Sequence, residues 1–423
     1  MTPHQYLSAF RYDEGILTGK AFNQRAVRVA PGDVVGVVLM ELGGPLRPDE
    51  VVPFLESRLL DPVEVATHVP RALRARAARS TARKLGRELQ RSFEMIGGSS
   101  PLRRHVSEQA AALERRLNHR FGAATGASFR TYVAMRHGDP SVERARQRMA
   151  EDGVSRVVLL PLQPHFSTST TGSSLSYWEA HGEVPVSTTL VSEYATHPKL
   201  VWAISERIDE GIQRFPRELR DRVQILFVAH GAFRRHLAKL SDPYCCHVHA
   251  TVRAILDARA DDRAAKVAFQ KPLGSGRALG ARIKDAVSDM ADDGASALLV
   301  VPVSFLSDRV DTAFDLDVTV RAAAKKEGIQ NFEVTSGLND HPLVIDALAE
   351  CVAVHLEPDV LAGGDGLAQG EVDTPVLSQT AVAAPECPVC SRRIATRVWA
   401  VDGPTLGTIE RRESEDTVRR SAA

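Results

Sequence analysis

The sequence predicts an α/β fold with parallel sheets arranged in two lobes, on three observations. Short runs of β-branched and apolar residues alternate with segments of helical length, the pattern of βαβ units. The alternation comes in two successive sets, which divide near residue 195. The chain has 423 residues, more than one ordinary domain, and is 43% hydrophobic, enough for two buried cores. Aromatic residues make up only 5%, so those cores must rest on Ala, Val and Leu.

Residues 1–32 carry no sustained period and read as an N-terminal extension. Val34–Leu39 (VVGVVL) is a buried strand that ends in the turn Gly43-Gly44-Pro45. Asp49 is placed to cap a helix over Glu50–Leu60, where Val51, Val52, Leu55, Leu59 and Leu60 recur at helical spacing. Arg71–Arg91 is an Arg/Ala-rich helix with a basic surface. Ser107–Leu117 is a helix, Phe129–Met135 a strand, Ser141–Met149 a helix and Val157–Leu162 a strand. These elements form a first lobe, 33–195.

The second lobe, 196–357, repeats the rhythm. Helices are expected over Pro198–Phe215, Val248–Ala258, Arg277–Met290, Val310–Lys325 and His341–Glu350. Strands are expected over Val223–Val228, Lys266–Phe269, Ala297–Val303 and Phe332–Ser336. Residues 358–423 form a C-terminal extension without a clear period, expected to be partly disordered.

Several function classes fall away on composition. Lys+Arg and Asp+Glu are 53 each, so the net charge is zero and no broad footprint for nucleic acid exists. No apolar run approaches the roughly 20 residues of a membrane span. Tyr12, Asp13 and Glu14 stand where a signal peptide would be apolar. Five cysteines form no disulfide framework, so a cytoplasmic location is expected. The basic face of Arg71–Arg91 offers peripheral contact to anionic lipid, although a solvated helix explains it as simply.

Ligands in open α/β sheets bind beyond the carboxyl ends of strands. That rule selects Glu41, Arg136, His137, Gln163, His165, His230, Phe305, Asp308, Asp311 and Asp315. The run Ser167–Ser174 offers hydroxyls and N–H groups to an anion, though a Ser/Thr run alone is more often a surface loop. His230 follows a strand and precedes Gly231, where an imidazole can take a proton or bind a metal. Asp311 and Asp315 are four residues apart and share one face of a helix, with Asp308 about a turn earlier. Three carboxylates there could attract a hard cation or accept protons, or simply face water. Cys387-Pro-Val-Cys390 supplies two thiolates where structural zinc needs four, and the adjacent Cys245 and Cys246 seldom serve one ion together.

Extended motifs then converge. Val34–Pro62, Ile96–Leu102 (IGGSSPL), Thr131–Ser141, Leu159–Leu175 (LLPLQPHFSTSTTGSSL), Val228–Gly231 (VAHG), Ser241–Tyr244, Phe269–Gln270, Val301–Asp317 and Leu338–Asp340 resemble ferrochelatases, in the family's order, over about 34–355. The resemblance implies two Rossmann-like lobes around a porphyrin cleft, and insertion of Fe(II) into protoporphyrin IX or coproporphyrin III in haem synthesis. His230 would accept a pyrrole proton, bind the metal, or both. Asp311 stands at the family's glutamate and Asp315 at the next acidic position, so His230, Asp311 and Asp315 would form the metal path. Leu42, Phe93, Ser100, Arg136 and Phe305 match substrate-side positions, with Arg136 expected to pair with a propionate.

The departures are Asp311 for Glu, Phe233 for Pro, and Lys271-Pro272 for Ser-Arg. They leave a second reading, a weakened paralogue that carries porphyrin or haem. Some members hold a two-iron two-sulfur cluster on three tail cysteines and one internal cysteine. Here the internal position is Thr168 and no third cysteine follows Cys390, so no cluster or other cofactor is expected; iron is a substrate.

Overall fold

The computed structural model describes residues 1–65, 69–95, 98–182, 184, 186–235, 240–273, 277–358, 376–383, 387–390 and 395–402. Among the described residues, twelve strands run in chain order: β1 (Val27–Val29), β2 (Val34–Glu41), β3 (Ser128–Met135), β4 (Arg156–Pro161), β5 (Ser187–Leu190), β6 (Gln224–Ala229), β7 (Ala265–Phe269), β8 (Ala297–Pro302), β9 (Asn331–Val334), β10 (Leu356–Pro358), β11 (Val376–Ala383) and β12 (Ala395–Asp402). The first lobe is a parallel sheet in the order β3-β2-β4-β5. The second is a parallel sheet in the order β7-β6-β8-β9. Both therefore have one topology: the chain runs outward from the first strand, then crosses back over it.

Strand periodicity divides the apolar residues between two faces. In β2, Val35, Val37 and Leu39 face one core, while Val38 and Met40 face another with Tyr6, Leu175 and Trp178. In β6, Ile225, Phe227 and Ala229 join the first of these cores, while Leu226 and Val228 face the helix Ile283–Asp292. One core thus runs through both lobes, filled by helices Leu102–Leu117, Pro198–Gln213, Tyr244–Arg259 and Pro342–Ala353. Burial on both faces explains why the strands read as continuous apolar runs rather than alternating ones. Polar contacts reinforce this junction. Arg116 pairs with Asp346 at 2.8 Å, Arg120 with Glu350 at 3.2 Å, and His165 bonds Thr251 at 2.8 Å.

The helices lie close to where periodicity puts them, and the differences have local causes. Asp49 does not cap its helix: it sits in the short turn Pro48–Glu50 and pairs with Arg47, and Val51–Leu60 begins without a side-chain cap. Ser141 does cap Val142–Glu151, accepting from the Arg144 N–H at 3.3 Å. The basic helix extends over Arg71–Met95 and exposes Leu73, Leu85 and Met95.

Residues 1–32 pack onto the first lobe. Tyr6 is buried, its hydroxyl donates to Ser176 at 2.9 Å, and β1 pairs with β10. Of the C-terminal extension, the hairpin β11–β12 and residues 387–390 are described.

Burial also sets a pH response. Desolvation lowers the His165 and His197 imidazoles from the usual 6.5 to about 3. Each is neutral in the fold but protonates near 6.5 once unfolded. The stability each contributes is therefore present above pH 6.5 and is lost as pH falls toward 3. Glu41, Glu64 and Asp242, raised by burial, act in the opposite sense as pH falls. A single-residue comparison separates the terms. Relative to His165→Gln, the parent protein should lose about 2–3 kcal/mol more stability between pH 6 and pH 4, from the uptake of one extra proton on unfolding. Parallel denaturation curves at the two pH values check it; an identical pH slope in the variant would remove His165 from the account.

Candidate active site

In a sheet of this order the crevice opens at the carboxyl ends of the first and third strands, where the connections diverge to opposite sides. In the second lobe those strands are β6 and β8. His230 follows β6, and Ser304 and Phe305 follow β8. The His230 N–H donates to Ser304 Oγ at 3.2 Å, and the Tyr244 hydroxyl donates to the His230 carbonyl at 3.1 Å while bonding Ser304 Oγ at 2.8 Å. The imidazole of the partly buried His230 meets the Phe305 ring edge-on, with centroids 5.4 Å apart.

In the first lobe the equivalent strands are β2 and β4. Glu41 ends β2 and accepts from Gln163, just beyond β4, and from the Leu42 N–H, both at 2.8 Å. Arg309 joins the two crevices. Its guanidinium lies 4.6 Å from the Phe305 ring centre, donates to the Gly43 carbonyl at 2.7 Å and stands 3.6 Å from Glu41. Burial pushes the Glu41 carboxyl up, and the Arg309 charge opposes that rise.

Glycines let the backbones meet here. A Cβ on Gly43, whose φ is +87°, would stand 2.0 Å from the His137 carbonyl oxygen. A Cβ on Gly231 would stand 2.2 Å from the Gln270 oxygen and 2.5 Å from the Pro272 nitrogen. The backbone of 270–272 thus packs directly against the turn that carries His230. Gly231→Ala must move that turn or the Gln270–Pro272 segment. Since a displacement near 1 Å can cost about 10²-fold in rate, a loss of that order is expected in turnover at this site, with the far-ultraviolet spectrum unchanged. A parental rate in the variant would show that the turn adapts.

A cavity of about 500 Å³ opens beside this junction, within the range of small-molecule sites. Gly44, Leu46, Phe54, Ser57, His137 and Asp139 are among its walls. Gly44 is the link to the second lobe, because it adjoins Gly43 and lies beside Arg309. His137 bonds Ser57 at 2.8 Å, and burial holds its imidazole well below the usual range. Phe54 and Ser57 escaped sequence reasoning because they lie inside a helix whose apolar spacing looks like core packing.

The expected site residues divide. His230, Phe305 and the buried Leu42 lie at the strand ends. The Ser100 N–H donates to the Leu46 carbonyl at 3.0 Å, behind the cavity wall. Phe93 is fully buried with Leu7, Val51, Leu55 and Val310, not on that wall.

Arg136 requires a correction. Its guanidinium is buried, pairs with Asp61 at 2.7 Å, donates to Ser173 at 3.0 Å and stacks on the Tyr6 and Tyr177 rings at 4.6 and 4.2 Å. Asp61 already neutralises it within the fold, where its motif position implied a propionate partner. Arg58 likewise pairs with Glu64. Asp61, Glu64 and His137 are close enough to hold a cation, but the two arginines balance the two carboxylates.

Two further expectations change. The run Ser167–Ser174 is buried rather than on the surface, and it serves internal carboxylates: the Thr168 N–H donates to Asp242 at 2.8 Å and the Ser173 hydroxyl bonds Asp61. Asp308 is not on the acidic helix. It lies in the loop before it and accepts from the Asn339 amide at 2.8 Å and the Gly337 N–H at 3.2 Å. The segment Asp311–Val320 is a π-helix that continues as Arg321–Lys326, and Asp315 on it is exposed. The Asp311 side chain lies outside what the structure describes.

The tail thiols also depart from expectation. Cys245, Cys246, Cys387 and Cys390 come together, with all four sulfurs within 4.8 Å of one another. Adjacent cysteines do face one point here, because the tail folds back over the start of their helix.

Comparison with known proteins places the chain in a family. The sequence model described as Ferrochelatase matches residues 34–356. A ferrochelatase of Rippkaea orientalis (strain PCC 8801 / RF-1) is 33% identical over 330 residues, 77% of this chain and 83% of that protein. One of Gloeobacter violaceus (strain ATCC 29082 / PCC 7421) is 32% identical over 327 residues, covering 76% and 98%. Among solved structures, SirB from Bacillus subtilis with Fe3+ aligns over 75% of this chain and 94% of that one, at 12% identity and a TM-score of 0.44.

Proposed function

The chain belongs to the ferrochelatase family, and on that premise we propose that His230 takes a pyrrole proton as ferrous iron enters a porphyrin held between the two crevices. The reaction is metal chelation in haem synthesis: iron gains the ring nitrogens, and the two inner N–H protons leave. The porphyrin must be gripped by an apolar wall, and one face of it must meet a proton acceptor. An imidazole, which can both accept and pass on a proton, suits that role.

The observation that carries the reading is the contact series His230, Phe305, Arg309, Gly43. It joins the mouth of the second sheet to that of the first, beside the cavity at Gly44. Phe305 offers its ring to the macrocycle, and Leu42 lies on the first-lobe side. Asp311 and Asp315, on the π-helix that follows the Phe305 loop, would carry the released proton or the incoming iron between His230 and solvent. No helix among the described residues is long and apolar enough to cross a membrane.

The test is an insertion assay on the purified full chain, with Fe(II) or Zn(II) and either protoporphyrin IX or coproporphyrin III. Metalloporphyrin absorbance should appear with at least one ring. Porphyrin binding without any metalloporphyrin would overturn the reading.

A further inference from the structure

The thiol cluster lies outside the groups to which that reading assigns the chemistry. Cys245 and Cys246 occupy the first turn of the helix Tyr244–Arg259. That turn is fixed by Asp242, which accepts from the Tyr244 N–H at 2.9 Å. Cys387 and Cys390 come from the tail turn that packs over it. Cys245 and Cys387 are buried, and Cys351 is the fifth cysteine, outside the group.

The spacing distinguishes the chemistries open to four such thiols. The sulfurs of Cys245 and Cys246 are 3.9 Å apart, those of Cys246 and Cys390 3.4 Å, and those of Cys245 and Cys387 3.6 Å. A disulfide needs about 2.05 Å. A tetrahedral ion with metal–sulfur bonds of about 2.3 Å holds its sulfurs about 3.8 Å apart. The observed edges straddle that value. An iron–sulfur cluster instead spreads its thiolates over more than one iron.

We propose that Cys245, Cys246, Cys387 and Cys390 form a closed tetrathiolate site for one zinc-type divalent ion, which fastens the C-terminal segment to the second lobe. All four positions of the ion are filled by protein, so the site is structural rather than a route for substrate iron. It also fixes the turn that carries Tyr244, whose hydroxyl holds the His230 carbonyl.

Metal and acid-labile sulfide are measured on the full chain, purified without chelator. About one zinc or iron per chain is expected, without sulfide. Replacing the metal by Co(II) should give the intense thiolate-to-cobalt absorption of a tetrahedral site. Cys390→Ser, at the most exposed of the four, should lose most of that absorption and free the tail to limited proteolysis, whereas Cys351→Ser should retain both. If a variant does not fold, the cobalt spectrum of the parent protein and its loss to a strong chelator decide alone. The assignment is overturned by an absence of bound metal together with no cobalt–thiolate band, by a disulfide among these cysteines, or by two irons with two sulfides per chain.

Discussion

His230→Ala should abolish metal insertion while leaving porphyrin binding largely intact. An alanine methyl can neither take a pyrrole proton nor touch a metal, and removing a positioned acid–base group typically costs 10²–10⁴-fold. Binding survives because Phe305, Leu42 and the residues around the cavity at Gly44 keep their own side chains. The His230 backbone contacts, through Ser304 and Tyr244, do not depend on the imidazole. Rate by metalloporphyrin absorbance and affinity by quenching of porphyrin fluorescence separate the two effects. A parental rate would remove His230 from the chemistry, and loss of binding with loss of rate would make it part of the grip.

Arg136→Met should destabilise the protein rather than weaken its affinity for porphyrin. Its side chain is about 3% exposed and that of Asp61 fully buried, so the change strands a carboxylate in the interior. Breaking such a pair costs about 3–5 kcal/mol. At roughly 2–4 °C per kcal/mol for lobes of this size, the Tm falls by about 6–20 °C. Adding Asp61→Asn should recover part of the loss, because no charge is then left unpaired. A raised KM for porphyrin with an unchanged Tm would instead return Arg136 to the propionate-binding role that its motif position implies.

These two residues show how differently the site could be read. His230 was accessible because a histidine at a strand end sits in a crevice whatever its neighbours are. Arg136 also follows a strand, but its role depends on Asp61, 75 residues away, and on Tyr6 from the N-terminal segment. The Ser/Thr run is the same case: its hydroxyls and N–H groups look available along the chain, and only folding brings Asp242 to the Thr168 N–H and Asp61 to the Ser173 hydroxyl. Asp308 shows the limit of periodicity, since a spacing of three fits a helix equally well when the residue lies in the preceding loop.

What the sequence by itself determined was the alternation of elements, the pairing of two α/β lobes and the place of His230 and Phe305 at strand ends. Those follow from local rules: apolar periodicity, turn residues and the direction of parallel strands. Only the tertiary structure decided which charges neutralise one another, that Arg309 spans the two crevices, and that two distant cysteine pairs meet at one point. Such facts are set by contacts between segments tens to hundreds of residues apart, and no local pattern carries their distances.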